Sequence, residues 1–276
     1  MSSSAASVTL PTGGDQSLVT QARVARSEWT KFVSLRSTRW SLGVGILLTI
    51  VFPILFALVT KSHWSHMSPS DRAGRHPLDI ALVGVNVAQL AIAVLGVLVI
   101  TGEYSTGMIR STLVAVPKRL PVLWAKLGVY AAVSLVLMVP SVLIGFFASQ
   151  TILSSRHILQ ISFSSPGVVR SLLGGAVYVM LVGIFALGIG FIVRNTAGGI
   201  ATFAGIFFVI PPLMNVLPTS WNNAITQYLP SEAGRQLFSL HHAAHSLSPL
   251  WGGLLMVGYC AAAVGVAAVL LVRRDA

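Results

Sequence analysis

The sequence is poor in charge. Only 9% of its 276 residues are Asp, Glu, Lys or Arg, against roughly 25% in an ordinary soluble domain, and just 7 are acidic. The long apolar stretches contain no carboxylate at all, which argues against an intramembrane proton relay built on paired acids. Cysteine is nearly missing too: Cys260 is the sole example, so no intrachain disulfide can form. The lysines are Lys31, Lys61, Lys118 and Lys126. None closes a G-x-x-x-x-G-K-[ST] loop, so the chain cannot hold ATP in a P-loop of its own. A G-x-S-x-G nucleophile elbow is absent as well. Residues 1–17 are rich in Ser, Thr and Gly and lack the 7–15-residue apolar core of a signal peptide. They read as a disordered tail.

What the sequence has is apolar length. Hydrophobic residues make up 54% of it, and the mean hydropathy is +0.81. They fall into six runs, Leu42–Thr60, Ile80–Ile100, Val122–Ser149, Ser171–Val193, Gly198–Leu217 and Leu250–Val272. About 20 helical residues cross a hydrocarbon core roughly 30 Å thick, so each run is long enough to span it. The fold expected is an all-α polytopic membrane protein with six transmembrane helices in one domain, residues 18–276. Lys126 is the only charged residue inside the runs. With the N-terminus in the cytoplasm, 12 of the 18 Lys and Arg residues fall in inner segments, as the positive-inside rule requires. This explains the +11 charge without nucleic acid, for which no basic-and-aromatic surface domain exists. The expected location is the plasma membrane, with both termini cytoplasmic.

Between the runs, three segments stand out. Residues 18–40 lack Pro and Gly and place Ala22, Ala25, Trp29, Phe32, Val33 and Trp40 toward one side, with Arg23, Arg26 and Lys31 largely off it. That pattern predicts an amphipathic interfacial helix in contact with membrane lipid. Residues 101–121 hold Glu103, Arg110, Lys118 and Arg119, with Lys126 just beyond. A short helix stopped by Pro117 fits there, either as a docking surface or as plain positive-inside anchoring. Residues 218–249, broken by Pro230, read as short helices dipping into or lying on the outer leaflet. Within the second run, Asp79, Asn86, Gln89, Gly96 and Glu103 fall near one helical face. Its amides either hydrogen-bond a neighbouring helix or line a pathway. Small-residue pairs at Ser171/Gly175, Ala186/Gly190 and Ala201/Gly205 predict close helix approach. Arg194–Ala197 predicts a tight hairpin, and Pro211-Pro212 a kink or an end to the fifth helix. His241, His242 and His245 have a metal-like spacing, but His242 stands where a zinc protease needs its glutamate. No metal site and no catalytic residue are assigned.

Glu103-x-x-x-Gly107-x-x-Arg110, followed by Pro117-x-Arg119 and Lys126, resembles the cytoplasmic segment after the second span in permeases of the type-2 exporter branch of ATP-binding-cassette transporters. "RSEWTKFVSLRSTRW" is similar to their connecting helix, and "QYLPSEAG" to their outer segment before the sixth span, particularly in actinobacterial members. The resemblance covers about residues 20–274 and rests on the order of these segments. It implies a permease without enzymatic activity or cofactor of its own, paired with a second such chain as a homodimer or with a sister permease. A separate ATPase subunit carrying ATP and Mg would dock on Trp29, Lys31, Glu103, Gly107, Arg110, Pro117, Lys118 and Arg119. Asn86, Gln89, Tyr178 and Asn215 would line a path for a hydrophobic or amphipathic small molecule. A membrane scaffold and an intramembrane enzyme are the competing readings.

Overall fold

A segment in lipid has to satisfy its backbone hydrogen bonds within itself, and a helix does so. The computed structural model describes residues 20–115, 119–155, 158–240 and 246–273, and among them all regular structure is helical. In chain order the helices are α1 (Gln21–Ser34), α2 (Arg36–His63), α3 (Pro69–Ala73), α4 (Pro77–Ser105), α5 (Met108–Ala115), α6 (Leu120–Ser154), α7 (Val168–Val193), α8 (Thr196–Ala204), α9 (Ile210–Met214), α10 (Thr219–Ile225), α11 (Pro230–Arg235) and α12 (Pro249–Arg273). Among the described residues, six segments are long and apolar enough to cross a membrane: α2, α4, α6, α7, the continuous α8–α9 stretch and α12. This is the architecture of a multi-pass membrane protein. The tail at residues 1–17 lies outside the described residues, as do Pro117, Lys118 and the three histidines His241, His242 and His245.

The bundle is organised around α4 and α7. In their most apolar stretches 61% and 72% of residues are buried, against 22% for α2 and 17% for α8–α9. Glycine sets the spacing. A Cβ on Gly96 of α4 would lie 2.4 Å from the Gly183 carbonyl oxygen of α7, and one on Gly183 would lie 2.0 Å from Tyr130 Oη of α6. The Tyr130 hydroxyl uses that space to donate to the Ile92 carbonyl at 2.7 Å, so three helices meet where two side chains are missing. Gly175 and Gly190 likewise face α4, against Val85 and Val97. The Ala201/Gly205 pair does not pack within the chain: Ala201 is exposed and Gly205 has open space where its Cβ would be.

One local expectation changes. The interfacial helix does not run through 18–40: it ends at Ser34, Leu35 turns extended (ψ 125°), and Arg36, Arg39 and Trp40 belong to α2. The buried stripe of α1 is Val24, Glu28 and Phe32, while Trp29 and Val33 are about half exposed. Hydrophobic periodicity missed this because a charged residue occupies the middle of the buried stripe. Pro211-Pro212 stands at the end of the fifth span, as expected: the helix closes at Met214, two residues past Pro212. The chain widens into a π-helical turn over Gly205–Val209 and continues helically to Met214, consistent with prolines that cannot donate to the preceding turn. The 194–197 hairpin is as tight as expected. Arg194 takes a left-handed conformation (φ 55°), and Asn195 caps α8 by accepting from Gly198 N at 2.8 Å.

At the end of the bundle away from α1, the segment between α2 and α4 is ordered. Ser68 caps α3, and the Arg72 guanidinium lies 5.6 Å from the Trp64 ring centre. Between α9 and α12, α11 is buried through Pro230, Ser231, Ala233 and Gly234. A Cβ on Gly234 would meet the Tyr178 ring at 2.5 Å, so α11 is seated on α7.

Candidate functional site

Four charged side chains from three helices converge at the α1 end. Glu28 and Lys31 lie one turn apart on α1, Glu103 is in the last turn of α4, and Lys126 is in the second turn of α6. Lys31 Nζ is 2.8 Å from Glu28 Oε1 and 3.1 Å from Glu103 Oε1. Lys126 Nζ is 2.9 Å from Glu103 Oε1 and donates a very short hydrogen bond to Glu28 Oε2. Glu28, Glu103 and Lys126 are only 3–4% exposed, and Lys31 is 20% exposed. Two positive and two negative charges cancel. An isolated ion in such surroundings costs several kcal/mol of desolvation, so each member depends on the others.

The cluster reaches a fourth helix. Lys31 Nζ also donates to Thr112 Oγ1 of α5 at 3.0 Å. Burial by itself lowers the Lys31 pKa. The hydrogen bond and charge of Glu28, then those of Glu103, outweigh that and raise it above the ordinary 10.5. Glu103 Oε2 is buried and has no hydrogen-bond partner among the described residues. Beside the cluster, Gln21 Nε2 donates to the Pro121 carbonyl at 3.0 Å, which ties the start of α1 to α6.

Of the docking residues expected from the sequence, the structure joins Lys31 and Glu103 directly. Gly107 forms the turn from α4 to α5 with a positive φ of 72°, the conformation glycine adopts without strain. Arg110 is exposed on α5, with Ser111 and Val114 beside it. Trp29 is 51% exposed on α1. Arg119 Nη1 donates to the Leu271 carbonyl at 2.9 Å and so holds the last turn of α12. Sequence reasoning missed Glu28. Its signal was available: Lys126, the lone charge in an apolar run, calls for buried acids at the same end of the bundle.

The expected path residues do not form one site. The Tyr178 hydroxyl donates to Gln89 Oε1 inside the α4–α7 interface, a very short contact, and both residues are buried. Asn86 is half-buried one turn nearer the opposite end and lines a cleft there. Asn215 is exposed just past α9 and accepts from Asn222 Nδ2 at 3.2 Å. Gln89 therefore behaves as an interhelical hydrogen-bonding group, and Asn86 faces open space.

No protein-family model and no curated protein matches the sequence.

Proposed function

We propose that the chain is the membrane permease of an ATP-driven exporter of the type-2 kind, carrying a hydrophobic or amphipathic small molecule across the plasma membrane with both termini cytoplasmic. One observation carries the reading. The buried Glu28–Lys31–Glu103–Lys126 cluster joins the surface helices α1 and α5 to the spanning helices α4 and α6. A force applied to the exposed face of α1 and α5, at Trp29 and Arg110, is then transmitted to the bundle core instead of being dissipated in a loose loop. Small displacements at a packed interface of this kind are amplified because such interfaces are bistable. With no P-loop in the sequence, the force comes from a separate ATPase subunit that binds ATP and Mg. This chain serves as a transport subunit rather than an enzyme.

The low burial of α2 and α8–α9 supports pairing of two such chains through these spans, with the remainder of their exposed surfaces facing lipid. The test of the docking face is Arg110→Glu, a surface change that leaves the buried cluster untouched. In the complex with its ATPase it is expected to lower chain-dependent stimulation of ATP hydrolysis several-fold, and stimulation equal to wild type would remove the coupling assignment.

A further inference from the structure

At the end of the bundle opposite the charge cluster, a cleft of about 490 Å³ opens between the start of α4 and α11. Its lining is mixed. Leu82, Val83 and Phe238 form an apolar part, and Asp79, Asn86, Glu232, Arg235 and Gln236 supply polar groups. Phe238, in the turn after α11, packs on the Tyr178 ring of α7 at 5.1 Å between centres, which ties the apolar part to the α4–α7 core. Among the described residues the charges of the lining are not balanced. Arg235 is taken by Glu232, Nη1 to Oε1 at 3.2 Å, whereas Asp79 makes no ion pair with any described residue. Arg170 donates to the Ser239 carbonyl at 2.9 Å and is not part of the lining. Gln236 Oε1 is buried and has no hydrogen-bond partner among the described residues, although its Nε2 donates to the Glu232 carbonyl at 3.4 Å. The cleft thus combines an aromatic and aliphatic wall, a carboxylate with no ion pair among the described residues, and an amide oxygen with no donor among them.

We infer that this cleft binds an organic cation: a flat, largely apolar body bearing amine N–H groups, seated between Phe238, Leu82 and Val83 with its donors toward Asp79, Asn86 and Gln236. The volume suits a molecule of drug size, for which 300–1,000 Å³ is usual. Positive charge is favoured by the Asp79 carboxylate, and the Phe238 ring in the lining adds an aromatic partner for a cation. An anion would have to displace Glu232 from Arg235 and would still face Asp79. Asn86, which lines the cleft, lies one turn along α4 from Gln89 and its buried hydrogen bond with Tyr178. This places it above the middle of the bundle, where the outer half of a route would end. The inference rests on the permease reading for that role but not for binding itself.

The test uses the full chain in lipid nanodiscs without any ATPase, with ethidium as probe and empty nanodiscs subtracted. Saturable ethidium fluorescence enhancement is expected for the wild type. Affinity should fall about tenfold or more in Asp79→Asn, and the loss should shrink at high salt as screening weakens the carboxylate's attraction. Since Asp79 is exposed, the variant should elute and melt like the wild type. Phe238→Leu serves as a second variant, which keeps an apolar wall but removes the aromatic face and should also weaken binding. The anionic dye anilinonaphthalene sulfonate should not compete. Equal ethidium affinity in wild type and Asp79→Asn, or equal competition by the anion, would overturn the inference. Ethidium binding without any ATPase-linked activity would leave the inference standing and defeat the permease reading. ATPase coupling without ethidium binding would do the reverse.

Discussion

Replacing Lys126 with Met tests whether the charge cluster holds α1 to the bundle. At 2.9 Å from Glu103 Oε1, and with an effective dielectric constant of about 20, the attraction is ~6 kcal/mol for this contact alone. Desolvation offsets most of it, so the intact cluster contributes little net stability. The variant is different: Glu28 and Glu103 remain buried with only Lys31 between them, leaving one uncompensated negative charge. Breaking a buried pair by removing one partner costs about 3–5 kcal/mol. For a chain of this size that is roughly 10 °C in the melting temperature. Tryptophan fluorescence melting of the purified protein reads it, and limited proteolysis within α1 reports whether the helix has undocked. The double variant Lys126→Met with Glu28→Met removes one charge of each sign and leaves the Lys31–Glu103 pair. Its melting point should return most of the way to wild type, because the two changes couple strongly in a double-mutant cycle. A Lys126→Met protein that melts like wild type, or a double variant whose loss equals the sum of the two singles, would refute the reasoning.

Further outcomes follow from the same geometry. Gly107→Ala should cost about 1 kcal/mol through backbone strain alone, since its φ is +72° and nothing lies within 4 Å of the added carbon. Gly102→Ala, in the last turns of α4 with equally open space, should instead be neutral or slightly stabilising, and the pair compared by thermal melting isolates the turn. Tyr178→Phe leaves Gln89 Oε1 without its donor and should cost about 1–3 kcal/mol, while Tyr178→Phe with Gln89→Leu should recover most of that in the same assay. Lys31 has a folded-state pKa raised above 10.5. Its contribution to α1 docking is therefore fully present below pH 10.5 and lost as pH rises through the raised value. Protease sensitivity of α1 should appear only in that alkaline range and should shift little between pH 6 and 9.

The six spans were legible because an apolar run of about 20 residues in lipid has only one regular solution compatible with its backbone. Their environments were less so. Nothing in the composition of α2 and α7 says that one is mostly uncovered and the other mostly buried. The glycines at 96, 175, 183 and 190 carried part of that information, as positions where a neighbour approaches. The break at Leu35 left no trace in the sequence, because neither Pro nor Gly marks it and the docking of Glu28 and Phe32 sets the helix direction. The pairing of Glu28 with Lys126 joins residues 98 apart, beyond the reach of any periodicity argument. Only the expense of a lone lysine in an apolar run pointed to it. Glu103 was legible as part of the charged segment after the second run and also as the end of the α4 polar face, and that face serves several purposes. Asp79 and Asn86 line the cleft, Gln89 bonds Tyr178, Gly96 admits α7, and Glu103 joins the cluster.

The most direct measurement is identification by mass spectrometry of the proteins that co-purify with the chain from its native membrane. The account predicts a soluble subunit bearing a G-x-x-x-x-G-K-[ST] loop, in fixed ratio to the chain and released by Arg110→Glu. A chain that purifies alone and moves its cargo across reconstituted membranes without nucleotide would contradict the account.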